Sequence, residues 1–225
     1  ITITGLANPT NLNFDLDGNI LVSAGTGASG SNVGKISSVT ATGSAVNWTT
    51  SGTALLDYTY GVLNQSSSRL IVYGQEDGAG ILLALNPLTG AVDTFFGNNG
   101  RYVVEGSTRI RTAAIDAHNN IIVGYTSSNN LVLASIAPNG YGTTAGFSFT
   151  GTALTDIASS SNLRLVIDVN GKIVVVAKNS TGNFIARRYT STGEDDAGLT
   201  TVTLTSPGGV VFKNIVSLQG TDTTI

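Results

Sequence analysis

Three aspartates of this chain recur in one local setting. They stand in Asn13-Phe14-Asp15-Leu16-Asp17-Gly18-Asn19-Ile20, in Ala114-Ile115-Asp116-Ala117-His118-Asn119-Asn120-Ile121 and in Val166-Ile167-Asp168-Val169-Asn170-Gly171-Lys172-Ile173. Carboxylates that return at one structural position and converge would suit a hard cation such as Ca²⁺, which takes roughly six to eight oxygen ligands. The competing reading is local: each carboxylate accepts hydrogen bonds from the N–H groups of its own turn. The local reading accounts for more, because the same turn chemistry surrounds each Asp and the second repeat has no acid there. Asp15-Leu16-Asp17-Gly18-Asn19 lacks the bidentate Glu of an EF-hand loop. Zinc is excluded on ligand supply, since the chain has one histidine and no cysteine.

His118 sits in an expected turn, where general-base work would need an orienting carboxylate and a nucleophile within hydrogen-bond reach. A solvated turn histidine is the simpler reading. Arg109 and Arg111 alternate, as expected for one strand face, and Arg109 could meet an acidic ligand; Arg187 and Arg188 point to opposite faces. Pairing with Glu105, Glu194, Asp195 or Asp196 would account for all four. Tyr58 and Tyr60 flank Thr59 and share a strand face, which suits either stacking on a sugar or a packed interface between sheets. The tripeptides at Asn47, Asn64 and Asn179 fit the N-glycosylation pattern, which a chain this rich in Ser and Thr produces by chance.

The elements that must position these residues are short strands. Each Asp segment reads as a β-hairpin, with Asp17-Gly18, Asn119-Asn120 and Asn170-Gly171 supplying turn residues between β-branched runs. A degenerate copy runs from Gly61 to Tyr73, with serines in the turn. A third strand follows each hairpin and closes on Thr42-Gly43, Thr89-Gly90, Asn139-Gly140 or Thr192-Gly193, at intervals of 47, 50 and 53 residues. A fourth strand is expected after each turn, at 45–48, 101–104, 146–149 and 200–204. Four short strands per unit, a period near 50 and no helical pattern predict an all-β chain, a β-propeller of four-stranded antiparallel blades. The expected blades run at about 8–52, 53–106, 107–155 and 156–208, with flanking strands in 1–6 and 209–225. Those flanking strands, 1–4 and 213–220, would expose strand edges. They therefore imply an internal stretch of a longer propeller or array, or pairing with another copy.

Val92-Asp93-Thr94-Phe95-Phe96-Gly97-Asn98-Asn99-Gly100-Arg101 resembles the Asp-x-x-Phe-Gly-x-x-Gly signature of the delta-60 repeat, a bacterial propeller-like family of this period. The hairpins are also similar to those of NHL-type propellers. Only the second repeat keeps the Phe-Gly pair in this reading; Glu194-Asp195-Asp196-Ala197-Gly198 has lost the Phe, and so have the first and third repeats. The resemblance implies a fold and a bacterial surface or secreted setting. It implies no reaction.

Composition bounds what remains. Charged residues make up 11% and the net charge is −3, so there is no basic field for phosphate backbones, and nucleic acid is not expected as a partner. Thirty Thr, twenty-two Ser and 28 Gly build the polar surface instead. Apolar runs such as 173–177 are strand-sized, and no membrane span is expected. The leading expectation is a non-catalytic interaction or scaffold domain, extracellular or at the cell surface, with a protein or glycan partner. Two alternatives stand beside it: a lactonase-like hydrolase using Asp15, Asp116 and Asp168 around Ca²⁺, and a structural surface protein that assembles with its own copies.

Overall fold

The computed structural model describes residues 9–25, 34–40, 42, 44, 56–157, 163–199 and 201–205. Among them are fourteen strands and no helix. They form four antiparallel meanders in which sequence neighbours pair. The first sheet contains β1 (Pro9–Phe14), β2 (Ile20–Ala24) and β3 (Lys35–Val39). The second contains β4 (Tyr58–Ser66), β5 (Arg69–Glu76), β6 (Ala79–Leu85) and β7 (Arg101–Val104). The third contains β8 (Thr112–Ile115), β9 (Ile121–Ser127) and β10 (Asn130–Ile136). The fourth contains β11 (Arg164–Ile167), β12 (Ile173–Lys178), β13 (Phe184–Tyr189) and β14 (Val202–Leu204).

The repeat is visible in the register. Phe14, Ile115 and Ile167 each end the first strand of a sheet and pair with the isoleucine that opens the second, Ile20, Ile121 and Ile173. In the second sheet Asn64 takes that place opposite Leu70. The Asp hairpins are three-residue loops and not two-residue turns. Asp15 N–H donates to Asn19 O, and Asp116 and Asp168 do the same to Asn120 and Lys172. One residue per loop takes positive φ: Gly18, Asn119 or Gly171.

Two compact units divide the chain. The first holds 1–110 together with 136–142, and the second holds 111–135 together with 143–225. In the first unit β1 lies beside β4: Thr10 Oγ1 donates to Thr59 O at 2.8 Å and Asn13 Nδ2 to Val62 O at 2.9 Å. Its core gathers Leu21, Ile36, Val62, Leu70, Val72, Ile81, Leu83 and Leu85 from both sheets. In the second unit Leu165 N–H donates to Thr112 Oγ1 at 2.9 Å, tying β11 to β8. That core is built on Ile122, Leu133, Leu165, Ile173, Val175 and Tyr189.

Two expectations on strands are corrected. Residues 146–149 are not a strand, because their amides bond elsewhere: Ser148 N–H donates to Thr192 O at 3.0 Å. Residues 107–111 are likewise irregular, so Arg109 and Arg111 do not share a strand face. The expected strands at 1–4, 45–48 and 213–220 lie outside the described residues.

Candidate binding cleft

The Asp93–Gly97 segment forms a closed loop at the outer end of the second sheet. Asp93 N–H donates to Ala84 O, Phe96 N–H to Asp93 O and Gly100 N–H to Phe96 O. Asp93 Oδ1 accepts from Phe95 N–H, while Oδ2 takes Arg69 Nε at 2.6 Å. The Arg69 guanidinium lies 5.5 Å from the centroid of the fully buried Phe96 ring. The loop then docks on the turn that follows β10. Gly97 N–H donates to Asn139 O at 2.9 Å, and Gln65 Nε2 and Arg69 Nη1 both donate to Pro138 O. Gly140 seats the ring: a Cβ there would lie 2.6 Å from Phe96 Cζ, and the residue's φ is +72°.

The second unit repeats this lock with other residues. Thr144 N–H donates to Ser135 O, Phe147 N–H to Thr144 O and Ser148 N–H to Thr192 O, matching the bonds of Asp93, Phe96 and Gly97 one by one. Phe147 meets Gly193 as Phe96 meets Gly140: a Cβ on Gly193 would lie 3.1 Å from Phe147 Cζ. The Phe-Gly signature therefore has an equivalent in the third repeat, where Thr144, Phe147 and Ser148 replace Asp93, Phe96 and Gly97. Asp196 and Leu199 continue the series, with Leu199 N–H donating to Asp196 O.

The first lock forms one wall of a cleft of about 620 Å³. Its floor is one face of the second sheet's outer strands. Pairing of Glu76 with Ala79, and of Ile81 with Val103, sets these side chains on that face, and Arg101 lies two residues along the strand from Val103. Arg101 closes on Glu76 through two bonds, Nε to Oε2 at 3.0 Å and Nη2 to Oε1 at 3.4 Å. Asp77, Gly97, Asn98 and the Gly140-Tyr141 turn complete the rim. Tyr141 is 69% exposed, and its N–H donates to Asn139 Oδ1, so the turn that carries the ring is held by its own side-chain bond. Val103, 57% exposed, is the apolar part of the floor left open. Tyr102, on the same strand, has its phenol pushed up by burial and by the nearby Glu105.

The residues singled out from sequence lie elsewhere. Asp15 Oδ1 accepts from Asp17 and Asn19 N–H, Asp116 Oδ1 from His118 and Asn120 N–H, and Asp168 Oδ1 from Asn170 and Lys172 N–H, all at 2.8–3.0 Å. The second oxygens of Asp15 and Asp116 take Asn19 Nδ2 and Asn120 Nδ2. Each aspartate is thus bonded to its own loop. Among the described residues no three His, Cys, Asp or Glu side chains gather where they could hold a metal ion. Tyr58 and Tyr60 do share a face, with ring centroids 6.1 Å apart and planes 4° from parallel, and both are half-buried. Arg109 is half-buried in the loop before β8. None of these six residues lines the cleft. Arg187 and Arg188 pair with Asp195 and Asp196.

Sequence reasoning missed the cleft because Glu76, Arg101 and Tyr141 are far apart along the chain. Strand register and the lock bring them together. The one available signal was the Arg101-Tyr102-Val103-Val104 strand, where an apolar Val103 shares a face with a charged Arg101 on an outer edge.

Comparison with solved structures decides the fold. The chain is similar to the Dos1 propeller at 12% identity, with a TM-score of 0.50, over 89% of this chain and 49% of that one. The fold is a β-propeller. The chain spans about half the length of the Dos1 propeller chain it matches. A calcium-binding protein, regucalcin from Agrobacterium tumefaciens strain C58, also aligns, at 14% identity and a TM-score of 0.41, over 87% of this chain and 75% of that one. No family model matches the chain, and no curated protein matches it.

Proposed function

We propose that this propeller is a non-catalytic interaction module of the delta-60 type, secreted or displayed at a cell surface, and that the cleft on the outer strands of the second sheet is where it binds. The observation that carries this reading is the cleft's construction. Its volume lies in the range of small-ligand sites, roughly 300–1,000 Å³. Its floor mixes open apolar surface at Val103 with a paired carboxylate and guanidinium, and its wall is a loop fixed by the Phe96 lock. The delta-60 assignment is supported by what the signature does here: Asp93 caps and pairs, Phe96 fills, and Gly97 permits the docking bond to Asn139.

The test is a ligand-observed NMR screen of a chemically diverse fragment set against the chain and its Val103→Glu variant. Fragments that bind the parent and are lost from the variant support the reading. Calcium-dependent turnover of lactone or phosphoester substrates, abolished by Asp116→Ala, would overturn it in favour of a hydrolase.

A further inference from the structure

The chemistry of the cleft names a ligand class, and this step rests on the interaction reading above. Among the described lining residues, Glu76 and Arg101 neutralise each other through two hydrogen bonds, and Asp77 adds a further carboxylate that disfavours an anion. An anionic ligand would meet the Asp77 carboxylate and would have to displace Glu76 from Arg101. A neutral polyhydroxyl ligand would not: one hydroxyl can donate to the carboxylate while its neighbour accepts from the guanidinium, with the pair intact. The apolar requirement is met on the same floor, where Ile81 and the open Val103 sit opposite each other. The exposed Tyr141 lines the same cleft, on a turn between Gly140 and Gly142, and its N–H donates to Asn139 Oδ1. An aromatic face beside adjacent donors and acceptors fits a pyranose, whose C–H face is apolar and whose equatorial edge carries vicinal hydroxyls. Asn98, on the rim, offers a further amide. We infer that the cleft takes one or two rings of a neutral oligosaccharide, stacked on Tyr141 and hydrogen-bonded to the Glu76–Arg101 pair.

The experiment is isothermal titration and saturation-transfer NMR of the full chain with cellohexaose, maltohexaose and mannohexaose, and with a polygalacturonate oligomer as the charged comparator. The inference expects at least one neutral hexaose to bind and to do so better than the charged oligomer. Tyr141→Ala and Glu76→Gln should each weaken that binding about tenfold, Tyr141→Phe should keep most of it, and Tyr58→Ala should leave it unchanged. Thermal melts of the variants check that folding is unaffected. Preference for the charged oligomer, indifference to Tyr141→Ala, or loss with Tyr58→Ala would overturn the assignment; the last would move the sugar to the Tyr58–Tyr60 pair. If none of the hexaoses binds while fragments still bind in a Val103-dependent way, the sugar assignment fails and the interaction reading survives. If neither binds, both fail.

Discussion

The loops at 93–97 and 144–148 dock on their turns through the same backbone bonds, yet only Phe96 and Phe147 match among their side chains. In the first unit Asp93 pairs with Arg69, and Phe96 is fully buried beneath that guanidinium. In the second, Thr144 replaces the acid and its Oγ1 accepts from Ser135 Oγ at 2.7 Å, while Phe147 is only half-buried. An ion pair and a buried ring have become a hydroxyl pair and a half-buried ring. What survives both versions is the geometry that only the backbone needs: the amide of the residue after the Phe reaches the next turn, and a glycine receives the ring. The difference teaches that the lock is specified by main-chain bonding and close approach, and that side-chain chemistry sets only its strength.

The largest effect should come from emptying the first lock. Phe96→Ala removes a fully buried ring and should cost about 3–5 kcal/mol, whereas Phe147→Ala, starting half-exposed, should cost about 1–2 kcal/mol. Denaturant melts of the two variants measure this, with hydrogen exchange in β5–β6 and β12–β13 locating each loss. Equal costs would break the comparison. Gly140→Ala should rank next, at about 2–4 kcal/mol, because a Cβ must enter the Phe96 ring at a φ of +72° that L side chains resist. Pairing it with Phe96→Leu, which shortens the knob, should recover part of the loss; a structural role for Gly140 unrelated to the ring would show no recovery.

How far these features are legible in sequence follows from the same two loops. The Asp93–Gly97 signature can be read directly, since Gly90 stands three residues before Asp93 and Gly193 three before Asp196. Thr144 stands four after Gly140, and that one-residue insertion moves Phe147 out of the expected place. Gly146-Phe147-Ser148-Phe149 then imitates a strand, alternating large and small with period two. Nothing in the residues themselves says that the amide of Ser148 serves the next turn. The hairpins, by contrast, were readable because Asp15, Asp116 and Asp168 each organise a loop from within five residues. The cleft was not readable, because it depends on Arg101, opposite Leu83, reaching diagonally across β6 to Glu76, opposite Ala79.

Where the first unit fixes its outer loop with the Arg69–Asp93 pair, the second adds a buried phenol. Tyr189 is fully buried, its OH donates to Thr152 O at 3.0 Å, and its ring meets Phe149 edge-on at 5.3 Å. Burial pushes its ionisation well above the ordinary tyrosine value. Tyr189→Phe keeps the packing and leaves the Thr152 carbonyl without that donor, so it should cost about 1 kcal/mol, read from the denaturant midpoint. A cost near zero would mean that the ring alone accounts for this residue's contribution.

The smallest effect sharpens the comparison through pH. Asp195 is held below the usual aspartate value first by the Thr152 hydroxyl, with help from Arg187, and Asp196 first by its bond to Arg188. A carboxylate whose folded pKa lies below its unfolded value binds its proton less readily when folded. Its contribution to stability is therefore present above the unfolded pKa, near 3.8, and is lost as pH falls through that value towards the depressed folded one. Hydrogen exchange followed from pH 6 down to pH 3 should show β12–β13 losing protection more steeply than β5–β6. Asp195→Asn with Asp196→Asn should remove the excess slope, and raised salt should shrink it, since both groups sit where water screens them. If the two regions lose protection in parallel, or the double variant leaves the slope unchanged, these aspartates do not distinguish the units.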